Sequence, residues 1–452
     1  MNRRTFLKAA GSFAILLPWL GQKAFAQGLG PYPGPFLMCI NAEGGWDTTM
    51  FFDPKLGNFS KNGRRINSAY DKVAAVGPFS YGVVDFEYTA NGNTLLLHSH
   101  EAFLKAYGSR LLLLNGVDVE TNAHPVGNQR VWSGHVATDY PAIGALLAAK
   151  ASQTFDLPCA YVVDSGAYIK TRGLVPLSRV DAGGMRSLAY ETKFPRAGGS
   201  QLFTPETSRR IAEANRERTQ KLESQLFLPG SKTSLRRYDK AMLAKSGLEP
   251  LAERLPSAFT PLNTLRPGAG TALDTTLQQA ELALYGFATG TMASASISLG
   301  GFDSHSSNNS TQKTRLGHLF VLLEHILNKA SALEVSNLYV LVGSDFARPP
   351  FYVGTGDTAG KDHWNVSSYM LFGPKVNGGR VLGKTTNDLY AQPVNPQAPE
   401  TPLPENQGGV VLKPSHLHYE LRELLDLSEF NTVYKLADGK TLLNANNRVR
   451  LF

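Results

Sequence analysis

Six short stretches of the chain are apolar at nearly every position: Phe36–Asn41, Arg110–Val117, Cys159–Val163, Ala293–Leu299, Asn337–Val342 and Tyr369–Phe372. A strand with one wet face alternates apolar and polar side chains, whereas a strand covered on both faces reads as an unbroken apolar run. Between several of these runs, Ile143–Ala151, Thr275–Thr289 and Arg315–Ala330 place apolar residues at helical spacing. Buried strands alternating with helices predict an α/β fold, a three-layer sandwich whose mostly parallel central sheet is covered on both faces. In such sheets ligands bind outside the carboxyl ends of the strands.

The pattern changes near residues 190–270. Pro205–Gln225 predicts a polar helix with Thr204 as N-cap and Glu206 in its first turn. A basic stretch with Arg236, Arg237 and Lys240 follows, and Pro250, Pro256, Pro261 and Pro267 then punctuate the chain. This segment is a helical insertion on the α/β body, either a cap over the site or a solvated excursion. The run from 391 to 407, rich in Pro, Gln, Asn and Glu, predicts a long surface loop. Apolar content of 42% and charge of 18% suit a packed globular protein, and 452 residues are long for one core, so the expectation is one large domain over 27–452 carrying the insertion, or two domains.

The first 26 residues read as a targeting segment. Arg3, Arg4 and Lys8 precede the apolar stretch Ala9–Leu20, and Ala24-Phe25-Ala26 offers small residues for cleavage. Arg3-Arg4 followed by Phe6-Leu7-Lys8 resembles a twin-arginine signal, and an ordinary secretory signal is the alternative. The implied partner is the twin-arginine export machinery, and the implied location is periplasmic or secreted. No stable membrane span is expected after signal removal, since the apolar stretch is short. The segment holds four of the positive charges and no acid, so the formal +8 falls to +4 without it. That excess does not mark a nucleic-acid binder. Cys39 and Cys159 are the only cysteines, and the sequence leaves open a disulfide or two buried thiols.

Candidate chemistry sits at the predicted strand ends. Asp47 follows the first apolar run behind Gly44-Gly45, a pair that permits a tight turn. Asp303 and His305 follow the run ending at Leu299 and, two apart, share one side of an extended segment. Asp345 ends the run through Val342, and His363 follows Asp362 just before the last run. Each has an ordinary reading when taken singly: a turn aspartate, a polar loop, a local Asp345–Arg348 pair, a loop histidine bonded to its own aspartate. Together they set carboxylates and imidazoles at several strand ends, which is what a divalent-cation site requires.

These motifs, in order Arg3-Arg4, Gly44-Gly45-Trp46-Asp47, Gly301-Phe302-Asp303-Ser304-His305, Ser344-Asp345-Phe346-Ala347-Arg348 and Asp362-His363, resemble a family of exported bacterial proteins known as domain-of-unknown-function family 1501. That family is a distant relative of the alkaline phosphatase and sulfatase superfamily. The resemblance implies an alkaline phosphatase/sulfatase-like sandwich with two divalent ions at the strand ends. It assigns Asp47 and Asp345 to one ion, and Asp303, His305 and His363 to the other. It places the nucleophile near Glu120-Thr121-Asn122-Ala123-His124, where Thr121 is the one hydroxyl and His124 stands ready to position an anionic substrate or donate to a leaving group. Two departures stand out. Phe346 replaces an expected imidazole ligand, and threonine is a weak nucleophile without activation.

Two functions follow as expectations. One is an exported metal-binding hydrolase with one or two divalent ions, acting on a small anionic phosphate or sulfate ester. The other is a non-catalytic binding or assembly protein on the same scaffold.

Overall fold

The computed structural model describes residues 30–452 except 56–65, 91–92, 165–167, 169, 180, 182–183, 187–202, 233–234, 236–246 and 405–406. The signal-like segment over 1–26 and much of the insertion therefore lie outside the described residues. Eight strands make the central sheet: β1 (Phe36–Ala42), β2 (Leu112–Asp118), β3 (Tyr161–Val163), β4 (Leu177–Ser178), β5 (Ser294–Leu299), β6 (Leu338–Gly343), β7 (Val366–Phe372) and β8 (Arg380–Leu382). Their order across the sheet is β8-β2-β7-β6-β1-β5-β3-β4. All neighbours pair in parallel except β7, which runs antiparallel to both β6 and β2.

The unbroken apolar runs have the cause inferred for them. Alternate β1 residues face opposite layers, and both layers are dry. Met38 and Ile40 join the core built with helices α5 (Asp274–Ala288) and α6 (Asn308–Ala332). Leu37 and Cys39 join the core built with α2 (His124–Ser133), α3 (Ile143–Ala151) and α7 (Pro414–Leu424). Each fully buried Leu, Ile or Met contributes about 1.5–3 kcal/mol, so a polar residue on either face of β1 would be costly. Among the described residues no helix is long and apolar enough to cross a membrane.

Of the two readings open for the cysteines, the structure has two buried free thiols. His318 and His325 of helix α6 are buried, and His325 Nε2 lies 2.7 Å from Glu281 Oε1. The expected loop over 391–407 contains a short antiparallel ribbon, Val394–Asn395 against Ala398–Pro402, anchored by the buried Val394. Helix α4 (Pro205–Gln225) has the expected bounds, and the Thr204 hydroxyl accepts from Thr207 N at 3.2 Å. It is exposed along most of its length, so the observed contacts fit an excursion better than a core element.

Helix α7 carries a testable electrostatic feature. Glu420 is 3% exposed, and burial pushes its carboxyl up to about 7, only partly offset by Arg448, whose Nε lies 3.5 Å from Oε1. A carboxyl that holds its proton more tightly when folded is favourable below its ordinary value near 4.5 and loses that contribution as pH rises toward 7. Glu420→Gln should therefore raise stability by about 1–3 kcal/mol at pH 8. The gain should vanish near pH 4.5, and urea unfolding at the two pH values measures the difference.

Candidate metal centre

The parallel strands all point their carboxyl ends one way, and antiparallel β7 starts at that same end. The segments after β1, β2, β5 and β6 and the segment leading into β7 therefore meet. Gly44 and Gly45 have φ of +117° and +90°. A Cβ on Gly44 would sit 2.4 Å from Asp303 N, and one on Gly45 would sit 2.7 Å from the Phe346 ring, so both positions require glycine. This close approach brings the Asp303 segment against the β1 end.

Arg348 is the hub. Its guanidinium is fully buried and donates to the Gly45 carbonyl at 2.8 Å, to the Lys361 carbonyl at 3.0 Å, and to the Gly44 and Asp362 carbonyls. Its Nη2 also reaches Asp303 Oδ1 at 2.8 Å. Arg348 thus pairs with Asp303, not with Asp345 as the short sequence spacing implied. Burial alone would raise the Asp303 carboxyl, but the Arg348 guanidinium, with His305 and His124 nearby, holds it below the usual carboxylate value.

Three imidazoles surround Asp303. His363 Nε2 is 3.5 Å and His305 Nε2 3.1 Å from Oδ1, and His124 Nε2 is 3.7 Å from Oδ2. Second contacts set two of the ring tautomers. His363 Nδ1 lies 2.8 Å from the Asn122 carbonyl, where only an N–H fits, so its Nε2 lone pair faces the cluster. His124 Nδ1 lies 2.5 Å from Asp345 Oδ2, which likewise turns Nε2 inward. That hydrogen bond raises the His124 pKa above its ordinary value. The Nε2 atoms of His305 and His363 are 3.0 Å apart, a separation that demands either a proton between them or a shared cation. His124, Asp303 and His363 offer ligand atoms within 4.8 Å of one another, and so do His305, Asp362 and His363. Phe346, fully buried, packs at 4.5 Å from the His124 ring and 4.4 Å from the His363 ring. It forms the apolar wall behind the imidazoles.

Of the residues singled out from sequence, Asp303, His305 and His363 come together, and His124 joins them as a fourth converging group. Asp345 stands behind His124. Its carboxylate is fully buried and its Oδ1 accepts from Gly44 N and Ser344 Oγ, both at 3.1 Å. Asp47 is outside the cluster. Its buried carboxylate accepts from Lys361 Nζ at 2.8 Å, Asn308 Nδ2 at 3.0 Å, Thr49 N at 3.1 Å and Thr49 Oγ1 at 2.6 Å. Thr121 is also apart, its hydroxyl accepting from Ala123 N at 3.2 Å to cap a turn. Sequence reading missed Lys361 and Gln312. Gln312 is buried in the first turns of α6, where it accepts from Asp47 N and donates to the Phe302 carbonyl, both at 2.9 Å. The signal for Lys361 was its place beside Asp362-His363 in a chain segment otherwise read for ligands.

The cluster opens to solvent on one side, with the Asp303 and His305 side chains 46% and 52% exposed. A separate groove of about 650 Å³, lined by Gly301, Asn309, Lys313, Arg315, Glu87 and Asp357, carries charges of both signs. A set of imidazole and carboxylate ligands with an open face is the donor set of a catalytic zinc-type site.

The family model described as "Protein of unknown function (DUF1501)" matches residues 36–401. No curated protein matches the chain. Among solved structures, two mutants of TAB5 alkaline phosphatase, titled as having Mg bound in the M3 site, are each 10% identical. Each alignment covers 77% of this chain and 92% of the other, with a TM-score of 0.31. A Bacteroides thetaiotaomicron structure, from work on the metabolism of multiple glycosaminoglycans and labelled 4S-sulf, is 10% identical. It covers 93% of this chain and 82% of that one, with a TM-score of 0.33. At such scores the likeness carries no chemistry to this chain.

Proposed function

The chain belongs to the DUF1501 family, which brings no activity with it, and from that premise we propose an exported metal-binding hydrolase acting on phosphate or sulfate esters. The observation that carries the reading is the orientation of His124 and His363. Asp345 and the Asn122 carbonyl hold the Nδ1 side of each ring and leave both Nε2 atoms facing Asp303. Outer partners of this kind fix ligand rings at metal sites. His124, His305, His363 and Asp303 would hold one divalent ion, with Arg348 fixing the carboxylate. A bound ion would supply a polarised ester oxygen and a more acidic water. The exposed face of the cluster, with the Asp303 and His305 side chains about half exposed, admits substrate and solvent. The turn that engages the Thr121 hydroxyl makes water the better nucleophile.

Assay of aryl phosphates and sulfates with Zn²⁺, Mn²⁺, Mg²⁺ or Ca²⁺ tests this reading. Metal-dependent turnover is expected, lost by about 10²-fold or more in His363→Ala and kept in Thr121→Ala. Loss in Thr121→Ala would return the nucleophile to the hydroxyl. A second reading, a non-catalytic binding or assembly protein, is favoured by one observation: Phe346 offers no ligand where the superfamily pattern has an imidazole. Absence of turnover with every metal and ester would decide for it. Export through the twin-arginine route to the periplasm or beyond belongs to the same proposal and rests on the Arg3-Arg4 motif.

A further inference from the structure

The superfamily that the motifs resemble uses two ions, and the resemblance gives Asp47 and Asp345 to one of them. Neither carboxylate is available in this fold. Asp345 is bonded to His124, Gly44 N and Ser344 Oγ. Four hydrogen-bond donors converge on Asp47, and a carboxylate has about four acceptor sites. One of the four donors is charged. Lys361 Nζ lies 2.8 Å from Asp47 Oδ2, and both side chains have no exposure at all. The ammonium also donates to the Ile66 carbonyl at 2.7 Å and lies 4.8 Å from the centre of the Tyr352 ring. Three directions around Nζ are thus filled by a carboxylate, a carbonyl and an aromatic face.

We propose that the Lys361 ammonium permanently occupies the role of the second ion, so that the protein binds one divalent ion and no more. The inference rests on the single-metal reading above. A buried carboxylate needs a cation, and a side chain that brings its own charge leaves no need for an external one. With the ammonium removed, Asp47 Oδ2 and the Ile66 carbonyl are the oxygens left facing the vacated space, so it is the Lys361 side chain that keeps an external ion out. Lys361 precedes His363 by two residues, so the same ion pair clamps the segment that presents the His363 ring. Lys361 is therefore a barrier to a second ion, while the Asn122 carbonyl holds the His363 ring.

Metal counting on the full chain tests this. Protein stripped by chelator is equilibrated with excess Zn²⁺ or Mn²⁺, desalted and measured by mass spectrometry of the metal. One ion per chain is expected for the parent, two for Lys361→Ala, and one again for the Lys361→Ala/Asp47→Asn double variant, in which charge balance is restored. Two ions in the parent, or one in a folded Lys361→Ala variant, overturns the inference and leaves the single-site ligands standing. An ion-free parent overturns the metal reading itself, and this inference falls with it. If Lys361→Ala does not fold, Lys361→Asn keeps a donor beside Asp47 without the charge. A second ion in that variant supports the inference, and a single ion overturns it.

Discussion

Replacement of Asp303 by Ala is expected to abolish tight divalent binding, lowering affinity by about 10²-fold or more. Three Nε2 atoms face this one carboxylate, at 3.1, 3.5 and 3.7 Å. Without it, the group of His124, Asp303 and His363 keeps no carboxylate, and only Asp362, grouped with His305 and His363, is left to offset a divalent charge. Arg348 would lose its one carboxylate partner among the described residues, at 2.8 Å, and add an unpaired positive charge to the site. Both effects oppose a cation, so the loss should exceed that of Asp303→Asn, which keeps an oxygen ligand. Titration by isothermal calorimetry gives the affinities, and near-parental circular dichroism would separate ligand loss from unfolding. A variant that binds as tightly as the parent removes Asp303 from the site.

Arg348→Met is expected to be the most destabilising single change near the centre, by about 3–5 kcal/mol. The guanidinium has no exposure and joins three chain segments: the Gly44-Gly45 turn, the Lys361-Asp362 carbonyls and Asp303. Methionine fills much of the volume but leaves those carbonyls without donors, and unsatisfied buried acceptors are costly. Arg348→Lys should recover only part of the loss, because an ammonium cannot reproduce the planar fork that reaches all three segments. Chemical denaturation of the three proteins measures the ranking. A loss below about 1 kcal/mol for Arg348→Met would show that solvent reaches those carbonyls.

Much of this arrangement was legible in the chain. Unbroken apolar runs gave the central strands because both faces of the sheet are covered, and the carboxylates at their ends gave the place of the site. Direction was not legible. The Tyr369–Phe372 run reads the same whether parallel or antiparallel, and its start at Val366 was missed because Ser367 and Ser368 are polar. Both serines are buried, the Ser368 hydroxyl donating to Asn115 Oδ1 at 2.8 Å. Local spacing misled in two places. Arg348, three residues from Asp345, reaches across to Asp303, and the Asp362 carboxylate accepts from the His363 backbone N while the ring turns to Asn122. Partners hundreds of positions away, such as Lys361 for Asp47, leave no local trace. The roles of His124 and Asp345 as ring and ring-holder depend on a contact spanning 221 positions.

The reversed strand β7 has a consequence for biosynthesis. It is the last long strand to leave the ribosome, and it delivers His363 at its leading end without any crossover helix. Until β7 slots between β6 and β2, the cluster lacks one imidazole and Arg348 lacks the Lys361 and Asp362 carbonyls. The side-chain cluster is therefore complete only once residue 363 and the strand behind it have emerged, after about 360 residues of the chain.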